Sequence, residues 1–259
     1  MLSCKDIFGW LQVGLYLVFC RCICFNSCFK KKSGTKAKLT VKALVLGLPA
    51  SGKTRFAKNF LALMSKDHST PSLSTEPYLP ADSSEFLKYE PTKGFVIHKE
   101  IWYREFKMNF TEIGGSFQKY WKRYTKDSQG LLYLVNISTD IKPSIDALET
   151  FAVGNHDVRS WPICILATFV DKKQLNKTPE EVVLELERYI NTRHMLKAWL
   201  PNMYVSKTSN CFGSDQSFYS VKKAEEDLKN AMDFLCVGIV NGMIESHYKE
   251  IEKDHKKNK

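Results

Sequence analysis

Residues 47–54 read Gly-Leu-Pro-Ala-Ser-Gly-Lys-Thr, an ungapped match to G-x-x-x-x-G-K-[ST]. That string works only between a buried strand and the start of a helix, so it restricts the fold as well as the chemistry. Both flanks agree. Val41, Ala43, Leu44, Val45 and Leu46 make a short, largely apolar strand, and Phe56, Phe60, Leu61 and Met64 follow at helical spacing. The glycines let backbone N–H groups close around phosphate oxygens, while the helix N-terminus adds positive potential. Gly47, Ala50, Ser51 and Gly52 are therefore candidate phosphate contacts. Lys53 would reach the outer phosphates, and the Thr54 hydroxyl would ligate Mg²⁺.

A chain of 259 residues has room for one substantial domain and an appendage. Its 44% apolar content excludes a disordered chain, which lacks the area to offset ordering entropy. The net charge of +10 invites a nucleic-acid partner, but the first 42 residues hold eight basic side chains against Asp6 alone. That +7 leaves about +3 for the other residues, so the basic charge is a collar at one end. A nucleic-acid binder spreads its basic stripe over the folded surface; none is expected here. Five of the eight cysteines fall in the first 28 residues. Cys164, Cys211 and Cys236 are too few and scattered for a disulfide framework, which points to a cytosolic main domain.

Ile7 to Phe29 reads IFGWLQVGLYLVFCRCICFNSCF, and residues 1–29 are expected to anchor the chain to a membrane. Two modes are open. The segment spans the bilayer as a transmembrane helix if Arg21 snorkels to an interface, with Lys30–Lys32 kept on the cytosolic side. Otherwise it lies in the interface, with Cys20, Cys22, Cys24 and Cys28 as acylation candidates beside the polybasic run. Residues 30–39 form a basic linker, 40–248 the main domain and 249–259 a charged tail.

The stretch from Pro91 to Gly130 narrows the class. Pro91-Thr92-Lys93-Gly94-Phe95 is followed by Thr111-Glu112-Ile113-Gly114-Gly115-Ser116, then Tyr120-Trp121-Lys122-Arg123-Tyr124 and Gln129-Gly130-Leu131-Leu132. Together these resemble the Arf-like small GTPases, in which a P-T-x-G-F switch I, a D-x-G-G switch II and a W-R-x-Y helix come in this order. Glu-Ile-Gly-Gly-Ser, with an N-terminal hydrophobic segment, is similar to the Arf-like 9 and 10 subgroup. The resemblance covers about residues 40–245. It implies a P-loop NTPase fold of the α/β class, a Ras-like, mostly parallel sheet flanked by helices. It also implies GTP/GDP and Mg²⁺ as cofactors.

Carried over by position, Thr92 would meet Mg²⁺ and the γ-phosphate, and the Gly115 N–H would meet the γ-phosphate. Glu112 stands where Asp is usual. Trp161 to Asp171 aligns with a strand leading into Asn-Lys-x-Asp, so Asp171 would read the guanine edge. Thr168 then replaces Asn, and Phe169 replaces Lys. Ser206 and Lys207, after a strand at Met203–Val205, would form the last base loop. Phe95 and Tyr124 would belong to the face that meets effectors, with Thr111 where a large apolar residue is expected. An exchange factor and a GTPase-activating protein are further partners the resemblance implies.

Three departures bear on turnover. Ser116 takes the place of the water-orienting Gln, and its hydroxyl is too short to do that work unaided, so intrinsic hydrolysis should be slow. The run from Ser116 to Trp121 is two residues shorter than the family's. Ser65–Ser84 (SKDHSTPSLSTEPYLPADSS) is a Ser/Thr/Pro-rich insertion ahead of switch I. The alternative is a membrane scaffold of the same fold that does not cycle. A nucleotide kinase would need an Arg-rich lid, and that insertion holds no Arg.

The remaining elements fit the same domain. Leu131–Ile137 reads as a buried strand and Ile141–Val153 as a helix. Pro179–Thr192 opens with Pro and two acids, as a helix start prefers. Val221–Tyr248 is expected as a long closing helix. His98, His156 and His194 lack metal-ligand spacing and read as surface or strand histidines.

Overall fold

A computed structural model describes residues 39–57, 60, 92–104, 106–168, 178–197, 202–206 and 221–257. The expected anchor at 1–29, the linker up to residue 38 and the insertion at 65–84 lie outside the described residues, as do Pro91, Phe169, Asp171 and Lys207. The chain divides between Leu39 and Thr40 into two units, and the second, Thr40–Lys259, carries the sheet.

The sheet is built from β1 (Leu39–Leu46), β2 (Phe95–Tyr103), β3 (Phe106–Ile113), β4 (Gly130–Asn136), β5 (Ile163–Thr168) and β6 (Met203–Val205). Its order is β2-β3-β1-β4-β5-β6. β1 pairs parallel to β4, β4 to β5 and β5 to β6, while β2 and β3 are antiparallel. Strands covered on both faces by helices read as unbroken apolar runs, as β4 and β5 do: each is buried through six successive residues. This mostly parallel sheet flanked by helices is the Ras-like P-loop architecture. The order reverses at β1, so the crevice beyond its C-terminal end is the switch point where open α/β sheets take ligands.

The period-2 alternation of strands sorts side chains into two cores. Leu44, Leu46, Leu131, Tyr133, Ile163 and Ile165 face one side, with Trp121 and the helices α2 (Lys142–Val153) and α3 (Pro179–Thr192). Val41, Ala43, Val45, Leu132, Leu134 and Leu166 face the other, with Phe56 and Phe60 of α1 (residues 53–57 and 60). There α5 (Val221–Lys257) closes the core through Leu228, Met232, Leu235 and Ile239. A four-residue helix, α4 (His194–Lys197), follows α3. α3 opens with a capping box. The Thr178 hydroxyl accepts from the Glu181 N–H, Glu181 accepts from the Thr178 N–H, and Pro179 takes the first helical position.

Several boundaries differ from the sequence reading. β4 starts and ends one residue earlier than expected. α5 does not stop at Tyr248 but continues through the charged tail to Lys257. The tail contains no Gly or Pro to stop the helix, and Glu245 stands at helix-supporting i,i+4 spacing before Lys249. The Tyr-Trp-Lys-Arg-Tyr segment is not an α-helix: Gly115–Asp127 forms 3₁₀ turns, interrupted at Phe117 (φ −99°, ψ 27°). At ~2.0 Å rise per residue against ~1.5 Å, 3₁₀ geometry covers the same distance with fewer residues. That suits a stretch two residues shorter than the resembled family's. Among the described residues, no helix is long and apolar enough to cross a membrane.

Candidate functional site

The phosphate loop leaves β1 at Gly47, whose φ is +150°. A Cβ there would lie 2.4 Å from the Leu134 carbonyl oxygen and 2.6 Å from Ser51 Oγ, so the turn off the strand admits only glycine. Ala50 has φ +57°, a left-handed conformation that costs a side-chain-bearing residue of order 1 kcal/mol. Neighbours hold the loop in that shape. The Asn136 amide donates to the Ala50 carbonyl at 3.2 Å. The Thr168 hydroxyl, at the end of β5, lies 2.8 Å from the Ser51 carbonyl and 3.1 Å from that of Val135.

Lys53 opens α1 and folds back over the loop. Its ammonium donates to the Gly47 and Leu48 carbonyls, both at 2.9 Å, and to Ser51 Oγ at 3.2 Å. Burial pulls its pKa down to about 8, while the Glu112 carboxylate pulls the other way.

One residue on, Thr54 meets two residues that lie 38 and 58 positions away in the chain. Its Oγ1 is 3.0 Å from Thr92 Oγ1 and donates to Glu112 Oε1 at 2.5 Å. Thr92 Oγ1 also donates to Glu112 Oε1, at 3.2 Å, and His98 Nε2 lies 3.1 Å from Glu112 Oε2. Glu112 is completely buried. Burial pushes its carboxyl up, but the hydrogen bonds from His98, Thr54 and Thr92 outweigh it and hold the group below the ordinary carboxylate value. Two hydroxyls and a carboxylate are hard oxygen donors, the set a Mg²⁺ ion takes. Among the described residues, no group of three or more His, Cys, Asp and Glu could hold a metal. A divalent cation here would rest on the threonines, water and a ligand's own phosphates.

Gly114 and Gly115 bring the next segment against the loop. The Gly114 N–H donates to the Gly94 carbonyl at 2.9 Å. A Cβ on Gly115 would stand 2.2 Å from the Pro49 nitrogen, a backbone atom that cannot step aside. Ser116, next in line, is exposed. Phe95 and Tyr124 meet with ring centroids 5.3 Å apart, and Phe95 stays 50% exposed beside exposed Val96 and Ile97.

The structure thus gathers Gly47, Ser51, Lys53, Thr54, Thr92 and Gly115 at one end of β1. Thr168 reaches the site through the loop's underside. Ser206 turns inward: its N–H donates to the Ile165 carbonyl at 2.8 Å, and its hydroxyl donates to Asp227 Oδ2 at 2.7 Å. Tyr204 donates to the other Asp227 oxygen at 2.5 Å. Two residues escaped the sequence reading, His98 and Asn136. Asn136 had a signal, an amide ending an otherwise apolar strand. His98 had none, since its partner sits on another strand.

The profile of the ADP-ribosylation factor family matches residues 80–214, slightly more than half of the chain. ADP-ribosylation factor-like protein 15 of Mus musculus is 29% identical over 114 residues, 42% of this chain and 53% of that protein. The Bos taurus protein of the same name is 29% identical over 114 residues, 42% of this chain and 54% of its own. The chain spans about half the length of the curated relatives it matches. With the loop, the threonine pair and the two glycines on one crevice of a Ras-like sheet, the match has its structural counterpart: the chain belongs to the ADP-ribosylation factor family.

Proposed function

We propose that the chain is a membrane-anchored Arf-like small GTPase of the 9 and 10 subgroup type, which binds GTP or GDP with Mg²⁺ and recruits effectors as a switch. The observation that carries this reading is the meeting of Lys53 and Thr54 with Thr92 and Glu112 from two distant segments. The Lys53 ammonium and the start of α1 supply positive potential for phosphate oxygens. A Mg²⁺ ion, when bound, neutralises phosphate charge, and Thr54 and Thr92 would turn their hydroxyl oxygens to it. Glu112 then accepts hydrogen bonds rather than ligating directly. Gly115 would present its N–H at the loop. Asp171, together with Ser206 and Lys207 of the last base loop, is proposed to select guanine.

The exposed Phe95 and half-buried Tyr124 form the effector face, since aromatic side chains are over-represented among binding hot spots. Residues 1–29 are proposed to fix the chain to a membrane with the main domain on the cytosolic side, where an exchange factor and an activating protein reach it. Ser116 has no side-chain reach to orient water, so hydrolysis without a partner is slow. A second reading is a non-cycling membrane scaffold. It is favoured by the same Glu112, whose carboxylate already accepts from both threonines.

The test is nucleotide binding by the full-length chain in detergent, with Mg²⁺, labelled GTP, competing ATP and a Lys53→Ala control. Tight GTP binding that ATP cannot displace, and that the control loses, supports the switch. A folded chain that holds no nucleotide leaves the scaffold.

A further inference from the structure

We propose that His98 is a positioning residue for Glu112: it holds one carboxylate oxygen so that the other is presented to Thr54 and Thr92. The inference rests on the reading that the site retains nucleotide with Mg²⁺. It begins with strand register. Val96 pairs with Glu112 and His98 with Phe110, which places His98 diagonally across from Glu112 on the same face of the β2–β3 ladder. On that face the imidazole reaches Glu112 Oε2 at 3.1 Å. The other oxygen, Oε1, takes Thr54 at 2.5 Å and Thr92 at 3.2 Å. Each oxygen has its own partners.

Glutamate needs this help where aspartate would not. Its extra methylene adds a rotatable bond, and a carboxylate swinging about it would present its oxygens to the threonines in several ways. Water cannot pin it, because the side chain has no exposed surface. His98 comes from the neighbouring strand, is only slightly exposed itself, and supplies the missing restraint. The pair His98 and Glu112 therefore does together what a shorter acid does alone. A second consequence concerns Thr92. Thr92 lies just before β2, and the Glu112 that His98 holds ties it to the start of α1. Groups that orient the first ring of a metal site matter to affinity almost as much as the ring itself, by about 10–100-fold on removal.

The experiment follows retention of a fluorescent guanine nucleotide on the full-length chain in detergent as free Mg²⁺ is titrated. His98→Leu is expected to raise the Mg²⁺ needed for half-maximal retention about 10–100-fold, with release in excess chelator unchanged. His98→Gln, which can place an amide donor near the Nε2 position, restores most of the loss, whereas His98→Asn, too short to reach, does not. In a Glu112→Asp background, His98→Leu loses its effect, because the shorter side chain no longer uses the imidazole. If His98→Leu fails to fold, the Gln and Asn pair carries the comparison. An unchanged Mg²⁺ requirement in His98→Leu, or in both His98→Gln and His98→Asn, overturns the proposal, as does an equal loss in the Glu112→Asp background. A wild-type chain that retains no nucleotide at any Mg²⁺ concentration overturns the underlying reading and this one with it. A wild type that retains nucleotide, beside an indifferent His98, overturns this one alone.

Discussion

Thr168 Oγ1 lies 2.8 Å from the carbonyl oxygen of Ser51, 117 residues earlier in the chain, and both groups are buried. Whatever the base loop does, the hydroxyl at the end of β5 props the phosphate loop from below. Replacing Thr168 with Val keeps the volume and removes the donor. It should cost about 1–3 kcal/mol, because the Ser51 carbonyl is left without a partner it cannot recover from water. Urea unfolding of the variant and the wild type measures this. A cost under a few tenths of a kcal/mol would mean that the loop keeps its shape without the prop.

Gly115 is expected to tolerate no side chain. A methyl group would meet the Pro49 nitrogen at 2.2 Å and the Leu48 carbonyl carbon at 2.4 Å. Both are backbone atoms, so relief requires the 3₁₀ segment to back away from the phosphate loop. Gly115→Ala should therefore weaken nucleotide binding at least tenfold, about 1.4 kcal/mol. Most of the fold should survive, because the core strands are untouched. Circular dichroism and nucleotide titration on the same sample separate the two effects.

Stability should fall as the solution becomes alkaline. Burial pushes the Cys164 thiol well up and the Cys236 thiol to about 12, and burial likewise raises the Tyr103, Tyr133 and Tyr204 hydroxyls. Each of these groups keeps its proton in the native state at a pH where the unfolded chain gives it up. Their contribution is complete below the unfolded values near 9 and 10, and declines as pH rises through them toward the folded values. Each fully shifted group adds about 1.4 kcal/mol per pH unit to the decline. Lys53, pulled down to about 8 in the native state, works the other way above that pH. The fall is therefore expected only above about pH 9.5, where the thiols and hydroxyls together outweigh one ammonium. Urea midpoints over that range check the sign; a flat or rising profile there would contradict it.

Two aromatic residues of the same neighbourhood should separate cleanly. Trp121 is buried edge-on against Tyr133 and Phe151, at ring distances of 6.1 and 5.8 Å, so Trp121→Ala should cost about 3–5 kcal/mol. Phe95 is half exposed and, among the described residues, meets one other aromatic ring, that of Tyr124, so Phe95→Ala should cost under about 1.5 kcal/mol. A large Phe95 cost would make it a core residue and remove the argument for an effector face.

Much of the fold was written in local patterns. The phosphate loop announces a strand before it and a helix after it. The apolar runs around Leu131–Val135 and Ile163–Ala167 are buried strands in the sheet. The Thr-Pro-Glu-Glu opening of α3 and the three residues of β6 fell where their chemistry placed them. These features are legible because each depends on neighbours a few residues away: capping bonds, helical spacing, alternation along one strand. The 3₁₀ form of Gly115–Asp127 was not, since the length of the gap it crosses depends on where its two ends are held.

The polar contacts that shape the site belong to the tertiary structure. His98 finds Glu112 because β2 and β3 pair in one register, and a shift of one residue would turn the imidazole to the opposite face. Thr168 finds Ser51, and Asn136 finds Ala50, because β4 and β5 end level with the phosphate loop in a sheet ordered around β1. Ser206 turns to Asp227 because α5 packs beneath β6. A sequence lists which side chains can donate and accept. Strand order and register decide which of them come within 3 Å, and hydrogen bonds are too short-ranged to form in any other arrangement.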